Sequence, residues 1–162
     1  LAHRRPAAVH RLVIANARLE MDEAATNMWR QRAATALAEG MAPLVEPTLQ
    51  RWLTAEFQAA WPERSEAVRQ TLAQTSPEGF AACAEALADM HQRARLSDLA
   101  LPTLLLTGRA DTAVPSALVR ADAATNPALA YAEIDGPHLL HQENPEDFVR
   151  VVLEFLAAKG QG

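Results

Sequence analysis

Strand-forming sequence lies only near the two ends of this 162-residue chain, separated by a long helical stretch. Residues 9–15 read Val-His-Arg-Leu-Val-Ile-Ala, a short apolar run with β-branched side chains. It lacks clean alternation, the pattern of a strand buried on both faces of a parallel sheet. No strand signal interrupts residues 21–91. Two further runs then follow, 103–107 behind Pro102 and 128–134. The order strand, four helices, strand, helix, strand, helix predicts an α/β domain. Three mostly parallel strands with flanking helices carry a helical insertion between the first two strands.

The helical stretch divides at its punctuation. Met21, Ala25, Met28, Trp29, Ala33, Ala36 and Leu37 share one face, and Gly40 follows as a stop. Leu44, Val45, Thr48, Leu49, Trp52 and Leu53 make a second stripe. Pro47 within it predicts a late start or a kink. Pro62 opens a third helix that turns Val68 and Leu72 inward. Ser76-Pro77 caps a fourth, which buries Phe80, Ala84, Leu87 and Ala88. Toward the far end, residues 115–125 predict a short helix. Asn144-Pro145 caps the last helix, whose apolar face is Phe148, Val151, Val152, Phe155 and Leu156 and which the tail 159–162 ends.

A chain of this length holds one domain with a sizeable core. With 49% apolar and 22% charged residues, its composition argues against disorder. A net charge of -5 and the lack of a basic run argue against nucleic acid or an anionic membrane as partner. No apolar stretch is long enough to span a bilayer. The single cysteine, Cys83, builds neither an internal disulfide nor a zinc site alone, which suits a reducing, cytoplasmic compartment. Its place in Ala81-Ala82-Cys83-Ala84 predicts a small buried hydrophobe. Residues 1–6 read as the end of a helix stopped by Pro6, so a targeting segment would lie upstream.

The chemistry gathers at the ends of the two later strands. Asp111 stands four residues past Thr107, after Gly108, and His138 follows Gly136-Pro137 after the third strand. Alone, each is an ordinary turn residue. Together they change the reading. One helix separates the two strands, and right-handed connections set such strands side by side with their carboxyl ends on one edge. A carboxylate beside an imidazole fixes its tautomer and stabilises the imidazolium, as a general base acting on a hydroxyl requires. His141 is a weaker candidate, further from the strand end.

The set Gly108-x-x-Asp111 with Pro115, Gly136-Pro137-His138-Leu139, and Glu143-x-Pro145-x-x-Phe148 resembles the C-terminal portion of the α/β-hydrolase-fold family. Residues 11–16 (Arg-Leu-Val-Ile-Ala-Asn), Trp29-x-x-Arg32, residues 39–42 (Glu-Gly-Met-Ala), residues 51–54 (Arg-Trp-Leu-Thr) and residues 77–83 are most similar to the 3-oxoadipate enol-lactonases. The resemblance implies Asp111 as triad acid and His138 as triad base. It implies a hydrolase core from residues 1–18 and 99–162, and a helical cap from 19–98. It further implies a serine nucleophile on a strand-to-helix elbow upstream of this chain, with the oxyanion hole also upstream.

Ser65, Ser76, Ser97 and Ser116 are the only serines, and none sits in a Gly-x-Ser-x-Gly elbow. The chain alone is therefore expected to be inactive. Trp29 and Arg32 are the substrate-binding candidates, because a small anionic lactone wants an apolar wall and one cation. Trp52 reads as packing within the cap. No metal or organic cofactor is implied. Rival readings are an esterase, a carbon–carbon bond hydrolase or a haloalkane dehalogenase on the same fold. A non-catalytic ligand-binding protein, or a truncated product without function of its own, are others. Three strands expose a sheet edge and apolar faces, so the chain is expected to need a partner, either the N-terminal half of the same fold or a second copy.

Overall fold

The computed structural model describes residues 1–158; the tail 159–162 lies outside the described residues. Three strands form one parallel sheet in the order β1 (Leu12–Ala15), β2 (Thr103–Gly108), β3 (Leu129–Ile134). Leu12 pairs with Thr103 and Ala15 with Leu106, while Thr103 pairs with Leu129 and Gly108 with Ile134. The α/β class and the parallel pairing are as the sequence predicts. β1 starts three residues later than its apolar run. The Pro102 carbonyl accepts from the Leu12 N–H at 3.0 Å, and proline has no N–H with which to carry the ladder further back. Residues 1–5 make one turn, closed by Arg5 N–H to the Leu1 carbonyl, followed by a 3₁₀ turn over Pro6–Ala8. Arg5, preceding a proline, is pushed out of the helical region to φ -145°, ψ 67°.

The chain divides into two compact units: Leu1–Arg18 with the segment from Gln92 onward, and Leu19–His91. In the first, alternation along β2 sends Leu104 and Leu106 to one face and Thr103, Leu105 and Thr107 to the other. Leu104, Leu106, Ile134 and Leu140 form the core of the first face. Val13, Ala132 and the apolar stripe Phe148, Val151, Val152 and Phe155 of the last helix, α8 (Pro145–Ala157), pack on it. Two shorter helices, α6 (Ser116–Ala123) and α7 (Leu140–Glu143), also belong to this unit.

The second unit holds five helices: α1 (Glu23–Glu39), α2 (Ala42–Trp52), α3 (Ala55–Ala60), α4 (Pro62–Ala73) and α5 (Pro77–Ala88). α3 is additional to the four expected. Six residues are too few for a readable helical period, and its visible signal is the cap, where Thr54 Oγ1 accepts from the Phe57 N–H at 3.1 Å. α2 does not start late: it begins at Ala42 and holds Pro47 in its interior, where burial of Leu44, Val45, Thr48 and Leu49 offsets the one bond that Pro47 forfeits. α1 meets α5 through alanines, with Ala33, Ala81 and Ala84 packed together beside Trp29 and Phe80. This narrow seam leaves Leu37 62% exposed, outside the buried face expected of it. Cys83 is also exposed, one position off the Ala81–Ala84–Ala88 stripe. No described helix is long and apolar enough to cross a membrane.

Gly108 closes β2 where the chain touches the turn after β3. A Cβ there would collide with the Gly136 carbonyl and lie 2.5 Å from the Pro137 oxygen and 2.9 Å from Leu140 Cδ2. Backbone atoms cannot swing aside as a flexible side chain can. We expect Gly108→Ala to cost about 3 kcal/mol by overpacking. Gly79→Ala, whose Cβ would meet only Ser76 side-chain atoms at 3.6 Å inside a helix, should be neutral or stabilising. Urea denaturation followed by circular dichroism measures both.

Candidate active site

The parallel register brings three strand ends to one edge of the sheet, and each leads into a polar residue: Asn16 after β1, Asp111 after β2 and His138 after β3. The two later turns are tied together by backbone bonds. Arg109 N–H donates to the Ile134 carbonyl at 2.9 Å and Ala110 N–H to the Gly136 carbonyl at 3.0 Å. Gly136 has φ 139°, a conformation that only glycine adopts readily. The turn then delivers Pro137 and His138 before α7, whose Leu140 is anchored in the core at 1% exposure.

His138 Nδ1 lies 2.9 Å from Asp111 Oδ2. The Asp111 side chain is fully buried, and that of His138 is 21% exposed. Burial alone would push the Asp111 carboxyl up. Its hydrogen bonds oppose this: the imidazole on Oδ2, Val114 N–H on Oδ1 at 2.8 Å and Asn16 Nδ2 on Oδ2 at 2.7 Å. Together with the charge of His138 they hold it below the ordinary carboxylate range. Ala113 N–H adds a further bond to Oδ1 at 2.8 Å. The carboxylate is thus ionised, and because it only accepts, Nδ1 of the imidazole carries the hydrogen. That leaves Nε2 as the basic nitrogen, the tautomer a general base requires.

The structure brings the two sequence candidates Asp111 and His138 into direct contact. His141 is exposed and packs edge-on to Phe148, with ring centroids 6.1 Å apart. The other pair, Trp29 and Arg32, meets in the helical unit. The Arg32 guanidinium lies 5.5 Å from the Trp29 ring centre and 5.7 Å from that of Phe80. Its Nη2 donates to Thr48 Oγ1 at 2.6 Å, while its buried Nε has no hydrogen-bond partner. Burial, aided by the nearby Arg51 charge, lowers its pKa. Among the described residues no carboxylate pairs with it. An arginine stacked on aromatic rings without a counter-ion is chemically suited to an anion. Among the described residues no group of three or more His, Cys, Asp or Glu could hold a metal ion.

Sequence reasoning gave Asn16 no role at the site; it stands there only as the last residue of the 11–16 segment. An amide-bearing residue directly after a parallel strand, level with Asp111 and His138, was the available signal.

No protein-family profile matches the chain. It is 30% identical over 149 residues to 3-oxoadipate enol-lactonase 2 of Acinetobacter baylyi, covering 91% of this chain and 54% of that protein. The solved enol-lactonase of Burkholderia xenovorans superposes with a TM-score of 0.91 at 27% identity, over 97% of this chain and 60% of that one. A thermophilic esterase from Thermogutta terrifontis gives 0.86 at 28% identity, over 96% and 58%. The chain spans about half the length of the enol-lactonases it matches in sequence.

A folded pKa below the unfolded value means that Asp111 adds stability above about pH 4, the unfolded carboxyl value, and loses it as pH falls through the folded pKa. Asp111→Asn should therefore cost about 2 kcal/mol at pH 7, where it turns an amide NH₂ toward donors. The variant should also lose less stability than the parent between pH 6 and pH 3. Urea midpoints at the three pH values check both.

Proposed function

The chain folds as the cap and last strands of an α/β hydrolase and is similar to the 3-oxoadipate enol-lactonases, and from that premise we propose that it forms part of a carboxylic-ester or lactone hydrolase. The observation that carries this reading is the buried Asp111–His138 contact at 2.9 Å. The intact protein opens a small enol-lactone such as 3-oxoadipate enol-lactone. Its serine nucleophile and oxyanion hole come from residues outside this chain.

In this mechanism the serine hydroxyl attacks the lactone carbonyl while His138 Nε2 takes its proton. Asp111 stabilises the imidazolium that forms. Collapse of the tetrahedral intermediate breaks the ring C–O bond, and His138 returns the proton to the departing enol oxygen. Water then attacks the acyl-serine, again with His138 as base, releasing the open-chain acid and the serine. Trp29 and Arg32 bind the substrate, the indole as an apolar wall and the guanidinium as partner to a carboxylate. The stacked arginine without a carboxylate partner supports that assignment.

The partner is the other half of the same fold. Val149, Leu153 and Leu156 are 50%, 58% and 46% exposed along one side of α8, and among the described residues β1 pairs on one edge only. Both features support a docked strand and helix. The single cysteine supports a reducing, cytoplasmic setting.

Three results test the reading. The isolated chain should turn over neither esters nor lactones, and clear turnover would return the nucleophile to this chain. In the protein assembled with its nucleophile-bearing half, His138→Ala should lower kcat by about a thousandfold or more. Arg32→Met should raise KM about tenfold for a carboxylate-bearing lactone and leave an uncharged ester unaffected. An unchanged KM for the charged substrate would remove Arg32 from the site.

A further inference from the structure

Asp111 and His138 leave one polar residue at the sheet edge without a role. Asn16 is 8% exposed and takes φ 47°, in the left-handed region that asparagine tolerates better than most residues. Its N–H still donates to the Leu106 carbonyl at 2.9 Å, so the residue is held by the ladder even as the chain turns away. Its Nδ2 donates to Asp111 Oδ2 at 2.7 Å and to the Pro137 carbonyl at 3.2 Å. Both partners are acceptors, so the amide cannot be reversed without setting oxygen against oxygen. Its Oδ1 is then buried with no partner. A residue that only filled space would not carry such an unmet acceptor. What Asn16 retains in exchange is a pair of bonds, one to the carboxylate and one to the turn that carries His138.

We propose that Asn16 is a positioning residue that locks the Asp111 carboxylate and the His138 turn into one unit. The inference rests on reading Asp111 and His138 as the acid and base. Asp111 Oδ2 receives Asn16 Nδ2 and His138 Nδ1, while Oδ1 receives the amides of Ala113 and Val114. With Asn16 in place, the direction left for the imidazole is defined from both sides. The bond to the Pro137 carbonyl acts on the same geometry from the base, because it restrains the residue just before His138. Asn16 touches no reacting atom; it acts through the two residues that do.

Two variants keep the left-handed backbone accessible. Asn16→Gly removes the side chain, and Asn16→Asp keeps its shape but replaces the donor with a second carboxylate facing Asp111. The Asp111 carboxyl is titrated by carbon-13 NMR in this chain, with circular dichroism confirming the fold. We expect its apparent pKa to rise in both variants, and in Asn16→Asp by more than one pH unit, a tenfold gain in proton affinity. Titration at the parent value in both folded variants overturns the proposal. In the assembled protein, Asn16→Gly should lower kcat about tenfold at unchanged KM, and Asn16→Asp should move the acidic limb of the pH profile upward. Parent kcat and profile in both variants also overturn it. Should the assembled parent open no lactone, the proposed activity fails, while the Asp111 titration still decides the role of Asn16.

Discussion

A carboxylate removed from water governs this structure. Desolvating Asp111 is costly unless its oxygens are fully met, and they are met by four donors from three places: the chain after β1, two amides of its own loop, and the imidazole after β3. Those donors converge only because the three strands are parallel and in register, so that their carboxyl ends share an edge. The close contact of Gly108 with the Gly136–Pro137 backbone follows from the same demand, since a side chain at 108 would wedge the two turns apart. Sheet order, register and turn chemistry thus answer one electrostatic requirement.

The sequence made the architecture legible where the signal was long or chemically specific. The apolar runs behind β1, β2 and β3 and the Asn144-Pro145 cap of α8 all map onto elements, and Asp111 and His138 map onto one contact. It was silent where elements are short: α3 and α7 span six and four residues, too few for a helical period to show. Leu37 and Cys83 misled for a different reason. The faces of α1 and α5 are defined by alanine, so the larger neighbouring side chains that pattern reading favours lie outside the seam. Asn16 was easy to pass over because its partner lies 95 residues away, and its position directly after β1 was the only signal.

The two units solve different packing problems. The sheet unit buries branched and aromatic side chains of α8 against Leu104, Leu106 and Ile134. The helical unit uses alanine to bring α1 and α5 together, with little rotamer entropy lost on burial. Small residues at that seam leave the larger groups Trp29, Phe80 and Arg32 to cluster beside it. Among the described residues the Arg32 cation rests on two aromatic faces, donates to a neutral hydroxyl and pairs with no carboxylate. A partly buried charge left without a counter-ion costs folding stability rather than adding to it.

Every donor that fixes Asp111 belongs to this chain, as does the histidine it orients. The Asp111–His138 contact is therefore organised within this chain, and under the proposed function it needs only the nucleophile from elsewhere. That division is physically reasonable. A buried, ionised carboxylate needs several donors set to within tenths of an ångström, which one continuous sheet edge provides better than a docked interface. A nucleophile and an oxyanion hole need only be presented to the exposed side of the imidazole, a looser demand that a second structural element can meet. On the reading proposed above, the groups that handle the proton lie together in this chain, and the reaction class is decided by the residue placed opposite His138.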